Sequence, residues 1–275
     1  MVIMDENESY ANTLGSCGSG PADPYLCSLA SQYASVTDWY ALEHPSQPNY
    51  TDIVSGSDQG CHEDNCVGAG AYSAEDLGAE LSQAGIPWTA YMESMPSPCF
   101  TGISSGDDGS GEYVLRHDPF VLFQNNLSGS CHILPYPGEA SMVSALDGTA
   151  APDFVWITPN LCDDMHDNCG PGNVQQGDAW LEANLPTVVS SSWFQNNGTV
   201  IITMDEGADD SGCCGDAAGG RIPMVVISAK AKGRGDISLT GDPFGTLRTI
   251  EEAFGLPLLG GAADGANGDL SQLFG

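Results

Sequence analysis

Three apolar runs in this 275-residue chain end in clusters of oxygen donors. Val2-Ile3-Met4 leads into Asp5, Glu6 and Asn7, and Phe154 to Thr158 leads into Asn160, Asp163, Asp164, His166 and Asp167. Thr199 to Met204 leads into Asp205 and Glu206. Such runs read as buried strands of a parallel sheet, and ligands of α/β sheets gather beyond the strands' carboxyl ends. Carboxylates converging there repel one another unless a cation holds them, so a divalent metal site is the chemical inference. A further segment, His44-Pro45-Ser46-Gln47-Pro48-Asn49-Tyr50, has two prolines that fix a turn and a continuation compatible with a short helix. A serine at such a junction lies near backbone N–H groups that favour anions. A divalent ion touching its oxygen would ease proton release and let the alkoxide attack phosphorus. Taken singly, each piece has an ordinary alternative: solvated loop acids in one case, turn residues without chemistry in the other.

Periodicity and punctuation indicate the elements that must position these groups. Met224 to Ile227 adds a fourth strand to the three runs. Helical patterns cover Pro24 to Tyr40, with Asp23 as N-cap and Pro24 in the first position, and Ser73 to Ala84, opened by a capping-box variant and stopped by Gly85. Two more cover Asp178 to Phe194 and Thr246 to Phe254, the latter closed by Gly255. Strands alternating with helices predict an α/β fold, a mostly parallel central sheet with helices on both faces. Thr101 to Gly111 and Gly207 to Gly220 read as Gly/Ser/Asp-rich loops too short to link domains. With no internal repeat, residues 1–275 are expected to form a single domain.

Thirty-seven acidic residues against six basic ones give a formal charge of −31. That argues against a nucleic-acid partner, which needs a face of cations, and against an anionic membrane surface. No run approaches the ~18 apolar residues needed to span a bilayer, so stable membrane insertion is not expected. The ten cysteines point to an oxidising compartment, hence a secreted, periplasmic or cell-surface protein whose leader has been removed. Local disulfides are expected at Cys17–Cys27, Cys61–Cys66 and Cys162–Cys169, with adjacent Cys213 and Cys214 bonding elsewhere; no C-x-x-C pair supports a zinc cluster. Asn126-Leu-Ser128 and Asn197-Gly-Thr199 fit the glycosylation pattern.

Met4 to Tyr10, His44 to Tyr50, Arg116 to Phe120, Thr158 to Asp167 and Asp205 to Gly207 together resemble the phosphoesterase family of bacterial acid phosphatases and phospholipases C, within the alkaline phosphatase superfamily. Gly177 to Leu181 and Leu247 to Leu256 are also similar to it, so the likeness covers nearly the whole chain in the expected order. The resemblance implies an alkaline-phosphatase-like fold, with Ser46 as a nucleophile that also touches metal. It implies Glu6, Asn7, Asp205 and Glu206 as further metal ligands, and Asn49 as the amide that orients a phosphoryl oxygen. His117 and His166 become candidates for phosphate contact and for protonating the leaving oxygen. Arg116 and Asp164 join the substrate-binding group, while Asp163, Asp164 and Asp167 either complete a second metal position or orient His166. Many members carry a histidine just before the Leu247-Arg248-Thr249-Ile250 helix, and this chain has none there. One tightly bound ion is therefore expected (zinc, calcium, magnesium or manganese), with Asp242 as the group that could replace the missing histidine.

The expected reaction is hydrolysis of phosphate esters through a phosphoserine intermediate, with an optimum on the acidic side. A short chain favours a phosphomonoesterase over the alternative, a phospholipase C that cleaves phospholipid head groups. Two other classes compete. An acidic, calcium-stabilised extracellular binding protein could use Asp205 to Gly220, though that loop lacks EF-hand spacing. Gly102-Ile103-Ser104-Ser105-Gly106 matches the serine-hydrolase elbow but has no apolar strand before it.

Overall fold

The computed structural model describes residues 1–106, 112–215 and 217–274. Residues 107–111 of the expected Thr101–Gly111 loop, and Asp216 of the Gly207–Gly220 loop, lie outside the described residues. In chain order the elements are β1 (Val2–Asp5), α1 (Pro24–Gln32), β2 (Ala34–Tyr40), α2 (Ser46–Ser55), α3 (Leu77–Ala84), β3 (Trp88–Met92), β4 (Ile133–Pro135), α4 (Glu139–Leu146), β5 (Phe154–Thr158), α5 (Asn173–Ser190), α6 (Ser192–Gln195), β6 (Thr199–Met204), β7 (Arg221–Ser228), β8 (Gly235–Gly241) and α7 (Pro243–Phe254). The strands form one sheet in the order β4-β3-β5-β1-β6-β7-β2-β8. Among the described strands only β7 runs against the rest, pairing antiparallel with β6 and β2. The helices fall into two packed groups, α2, α3 and α7 in one and α1, α4, α5 and α6 in the other. This is the α/β class expected from the alternation of strands and helices.

All four expected strands are present, and their apolar composition follows from burial on both faces. Every residue of β1 and β5 is buried. β1 lies between β5 and β6 in register, Val2 opposite both Trp156 and Ile201. Parallel neighbours in register finish at the same edge, so Glu6, Thr158 and Asp205 emerge side by side. β2 also points to that edge, which delivers the Glu43–Ser46 turn to it.

Several boundaries differ from the pattern-based expectation. The Pro24–Tyr40 helix ends at Gln32, Tyr33 is extended, and Ala34–Tyr40 is β2. Its β-branched and aromatic residues suit a strand, and pairing with both β7 and β8 outweighs helical continuation. α3 begins at Leu77 because Asp76, not Ser73, caps it, accepting from Gly78 N and Ala79 N. The Asp178–Phe194 helix is two: α5 starts earlier, at Asn173, and Ser191 accepts from Phe194 N to open α6. α7 starts at Pro243, with Asp242 capping it through Phe244 N and Gly245 N.

Disulfides join Cys17–Cys27, Cys61–Cys66, Cys99–Cys131, Cys162–Cys169 and Cys213–Cys214. The three local pairings are as expected, while Cys213 and Cys214 bond to each other rather than elsewhere. Asn126 is not an open glycosylation acceptor: it is buried and its amide donates to Asp76 Oδ2 and Phe120 O.

Burial also sets the pH response of the fold. It pushes the Asp76 carboxyl up to about 7, against the bonds it accepts from Asn126 and the α3 backbone, and the Glu251 carboxyl up to about 8. Unfolded carboxyls titrate near roughly 4. Between pH 4 and 8 the folded chain therefore holds more protons than the unfolded chain, and its stability falls as pH rises through that window. The thermal midpoint of metal-free protein should be higher at pH 5 than at pH 8. Glu251→Gln, which mimics the protonated form, should flatten that decline, measured by calorimetry across the range.

Candidate active site

The edge where β1, β5 and β6 end gathers groups from distant segments. Glu6 N donates to Asp164 O at 2.7 Å, and Asp205 N donates to Asp5 O at 3.1 Å. Asp205 Oδ1 accepts from Asn7 N at 3.1 Å and from Glu206 N at 2.7 Å. Ser46 is the first residue of α2, and its Oγ donates to Glu6 Oε2 at 3.1 Å. The Asp205 carboxylate lies against both Glu6 and the Ser46 hydroxyl. One helical turn after Ser46, Tyr50 donates its hydroxyl to Glu6 Oε1 at 2.5 Å and stacks its ring on His117, centroids 5.2 Å apart. His117 Nε2 is 3.5 Å from Glu6 Oε1, and its Nδ1 is 3.5 Å from Asp164 Oδ2.

These groups sit out of water, so their charges are costly. Burial, then the charges of Asp205 and Asp164, push the Glu6 carboxyl well above its ordinary range. Burial likewise raises Asp164 strongly and Asp205 to a lesser degree, the latter relieved by backbone and side-chain hydrogen bonds. Burial, then Arg116 and His166, push the His117 imidazole well below its usual range, so it is held neutral with one nitrogen free to act as a lone-pair donor. Asp205 Oδ2, Asp164 Oδ2 and His117 Nε2 are buried without a hydrogen-bond partner. Ligand atoms of Glu6, His117 and His166 lie within 4.8 Å of one another. The Glu6 oxygens and the imidazole nitrogens of His117 and His166 are the donor types that a divalent cation takes, and the unpartnered Asp205 and Asp164 oxygens lie close to Glu6 and His117.

The other expected residues take distinct places. His166 and Arg116 line the more open side: His166 Nδ1 is 2.7 Å from Asp167 Oδ1, and its Nε2 is 3.5 Å from the Arg116 guanidinium. Asp167 thus orients His166, whereas Asp163 turns away to accept from Asn160 and Gln176. Three of the expected residues have partners within the protein. Asp164 has no exposed surface; it accepts from His166 N and faces His117, a place that suits holding the histidines. Asn49 donates both amide hydrogens, to Glu43 O and Pro45 O, bracing the turn before Ser46 and leaving none for a phosphoryl oxygen. The Glu206 carboxylate is turned to His44, Oε2 lying 2.5 Å from Nδ1, which takes it out of the donor group around Glu6. Burial and Asp205 raise Glu206 to about 7; burial lowers His44, yet the Glu206 contact outweighs it and moves the imidazole up. Asp242 caps α7 and shares its surroundings with Cys213 and Cys214.

Sequence reasoning gave no role to Tyr50, His44 or Asp64. Tyr50 was findable, because a residue four positions after Ser46 on a helix shares its face. Asp64, from the Cys61–Cys66 loop, accepts from Gln47 N at 3.0 Å and had no local signal. Ser104, the hydrolase-elbow candidate, lies in an isolated bridge with Val114 and donates to Gly106 O at 3.1 Å; the described residues around it form no strand–turn–helix.

The model of the Phosphoesterase family matches residues 19–257. The phosphatidylinositol-3-phosphatase of Mycobacterium tuberculosis is 30% identical over 273 residues, which covers 96% of this chain and 79% of that protein. An acid phosphatase of Aspergillus fumigatus is 29% identical over 253 residues, covering 90% of this chain and 54% of its own length. The chain thus spans about half the length of that fungal relative. Among solved structures, a protein of the alkaline phosphatase superfamily from Vibrio parahaemolyticus superposes with TM-score 0.62 at 14% identity, over 93% of this chain and 66% of that one. Murine ectonucleotide pyrophosphatase/phosphodiesterase 5 gives TM-score 0.62 at 10% identity, over 100% and 99%. At such identities the likeness is one of fold.

The donor set predicts that a divalent cation added to chelated protein raises the unfolding midpoint, and that Glu6→Gln removes most of the rise. Tyr50→Phe keeps the ring stack but loses the bond to Glu6. It should weaken cation affinity about 10–100-fold, as read by competition with a chelator.

Proposed function

The chain belongs to the phosphoesterase family, and from that premise we propose that it is a cation-dependent phosphomonoesterase with Ser46 as nucleophile. The observation that carries this reading is the convergence of Glu6, Ser46 and Asp205, far apart in the chain, with the Ser46 hydroxyl 3.1 Å from a Glu6 oxygen. Glu6, Asn7, Ser46 and Asp205 would hold the cation, with His117 and His166 within reach of it. When bound, the ion would lower the pKa of the serine hydroxyl and offset charge on the phosphoryl oxygens. Tyr50 holds Glu6, and Asn49 holds the turn, so the hydroxyl is presented from a fixed helix start.

The reaction runs in two displacements. Ser46 Oγ passes its proton to Glu6 Oε2, the acceptor 3.1 Å away, and forms a bond to phosphorus as the bond from phosphorus to the ester oxygen breaks; His166, oriented by Asp167, gives a proton to the leaving oxygen. Water then attacks phosphorus and gives a proton back to His166, the bond from phosphorus to Ser46 Oγ breaks as that oxygen regains the proton from Glu6, and inorganic phosphate is released. Arg116 stands beside His166, where a guanidinium would stabilise charge building on the equatorial oxygens. Glu206 supports the site indirectly, through His44 at the turn before Ser46.

Both relatives described above are named as phosphatases, enzymes that remove a terminal phosphate, which favours monoesters over the phospholipase C reaction. A charge of −31 repels dianions, and acid lowers it, which favours an optimum on the acidic side. Ser46→Ala should reduce turnover of a chromogenic phosphomonoester by at least about 10³-fold while cation binding persists. Chelation should abolish wild-type turnover, and kcat/KM should fall from pH 6 to pH 9. Residual activity near wild type in Ser46→Ala would remove the nucleophile assignment. Release of phosphocholine from phosphatidylcholine, in place of inorganic phosphate from monoesters, would move the enzyme to the phospholipase reading.

A further inference from the structure

The first turn of a helix carries N–H groups with no partner inside the helix, and a side chain at the N-cap normally accepts from one of them. α2 has Pro45 at that position, which offers no side-chain acceptor. The acceptor comes instead from another segment. Asp64 Oδ1 takes the Gln47 N–H at 3.0 Å, and Asp64 Oδ2 faces Arg116 Nε at 3.7 Å. Arg116 Nε is buried and has no hydrogen bond of its own, and the other end of that guanidinium lies beside His166. The loop bearing Asp64 is closed by Cys61–Cys66 and tied to α2 by the Gln47 side chain, whose Nε2 donates to Val67 O at 3.1 Å. The Asp64 side chain is still 35% exposed, so an incoming anion can reach it.

We propose that Asp64 is a resident anion that competes with the substrate's phosphate for the Gln47 N–H and the Arg116 guanidinium, keeping phosphate affinity low enough for product to leave. The inference rests on the phosphatase reading above. A phosphoryl group within bonding reach of Ser46 Oγ lies beside the N–H of the next residue, and arginine pairs readily with phosphate oxygens. Asp64 already occupies one donor of each kind. If the phosphate displaces the carboxylate, it must first break two charge-assisted contacts. If the carboxylate stays, a negative charge sits against a dianion. Both routes weaken binding. A carboxylate that served only to aim Arg116 would act with the opposite sign, since its loss would disorder the guanidinium and weaken binding of phosphate.

Asp64→Asn separates the two, because it retains an oxygen for the Gln47 N–H and removes the charge. In the full, cation-supplied chain, calorimetric titration with inorganic phosphate and competitive inhibition by inorganic phosphate should both tighten about tenfold relative to wild type. KM for a chromogenic monoester should fall in parallel. In an Arg116→Gln background the same substitution should gain much less, because one of the two contested donors is gone. Asp64→Ser provides the same comparison should Asp64→Asn fail to fold, as judged by its unfolding midpoint. Phosphate binding that is unchanged or weaker in the variant overturns the proposal. A wild-type chain that binds phosphate but hydrolyses no monoester would overturn the functional reading, while the calorimetric comparison would still measure what Asp64 does to the anion.

Discussion

Glu6, Asp164 and Asp205 bring three carboxyl groups into one buried space, and the surrounding structure answers that charge. At a separation of ~4 Å and an effective dielectric near 20, each ionised pair repels by about 4 kcal/mol. That is a large fraction of a domain's net stability of roughly 5–15 kcal/mol. The chain meets it with donors aimed inward: Ser46 and Tyr50 hydroxyls on Glu6, Asn7 and Glu206 amides on Asp205, and the His166 amide on Asp164. These leave oxygens on Asp164 and Asp205 without partners, and a neutral His117 nitrogen beside them. A cation among Glu6, His117 and His166 would offset much of this charge. Protons offset part of it, since burial and the neighbouring carboxylates push the Glu6 and Asp164 carboxyls well above their ordinary range.

The scaffold then divides the work between rigid and tethered pieces. β1, β5 and β6 deliver carboxylates from strand ends whose register is set by buried apolar neighbours, so their spacing cannot drift. Ser46 arrives on a helix start braced by Asn49. Four further polar groups come from short covalently closed loops: Cys61–Cys66 carries Asp64, and Cys162–Cys169 carries Asp164, His166 and Asp167. Small polar loops have little apolar area to hold them, and a cross-link limits the conformations they can lose on folding. Two of the five disulfides thus restrain these loops.

The parts of the fold legible in the sequence were those governed by local pattern. Runs such as Thr199–Met204 could be only buried strands, and Gly85 and Gly255 marked helix ends through their left-handed backbone, φ 71° and 68°. The Ala34–Tyr40 strand was misread as helix because its identity depends on β7 and β8, both nearly two hundred residues later in the chain. The same distance hid the reversed direction of β7. Asp76 displaced Ser73 as the cap of α3 because Asn126, fifty positions away, helps to fix its carboxylate.

Residue types and their order by themselves determined the class of fold, the family, and the roster of acids, histidines and serine that could meet at one sheet edge. That much needs only hydrophobic period and motif spacing, which are properties of a linear string. Tertiary structure alone decided which atoms face one another. It turned Glu206 to His44, buried Asp164 beneath His117, spent the Asn49 amide on the backbone, and set Asp64 against Gln47 and Arg116. Side-chain direction is the outcome of competition for hydrogen bonds and burial among segments that are strangers in sequence. No local pattern carries the terms of that competition.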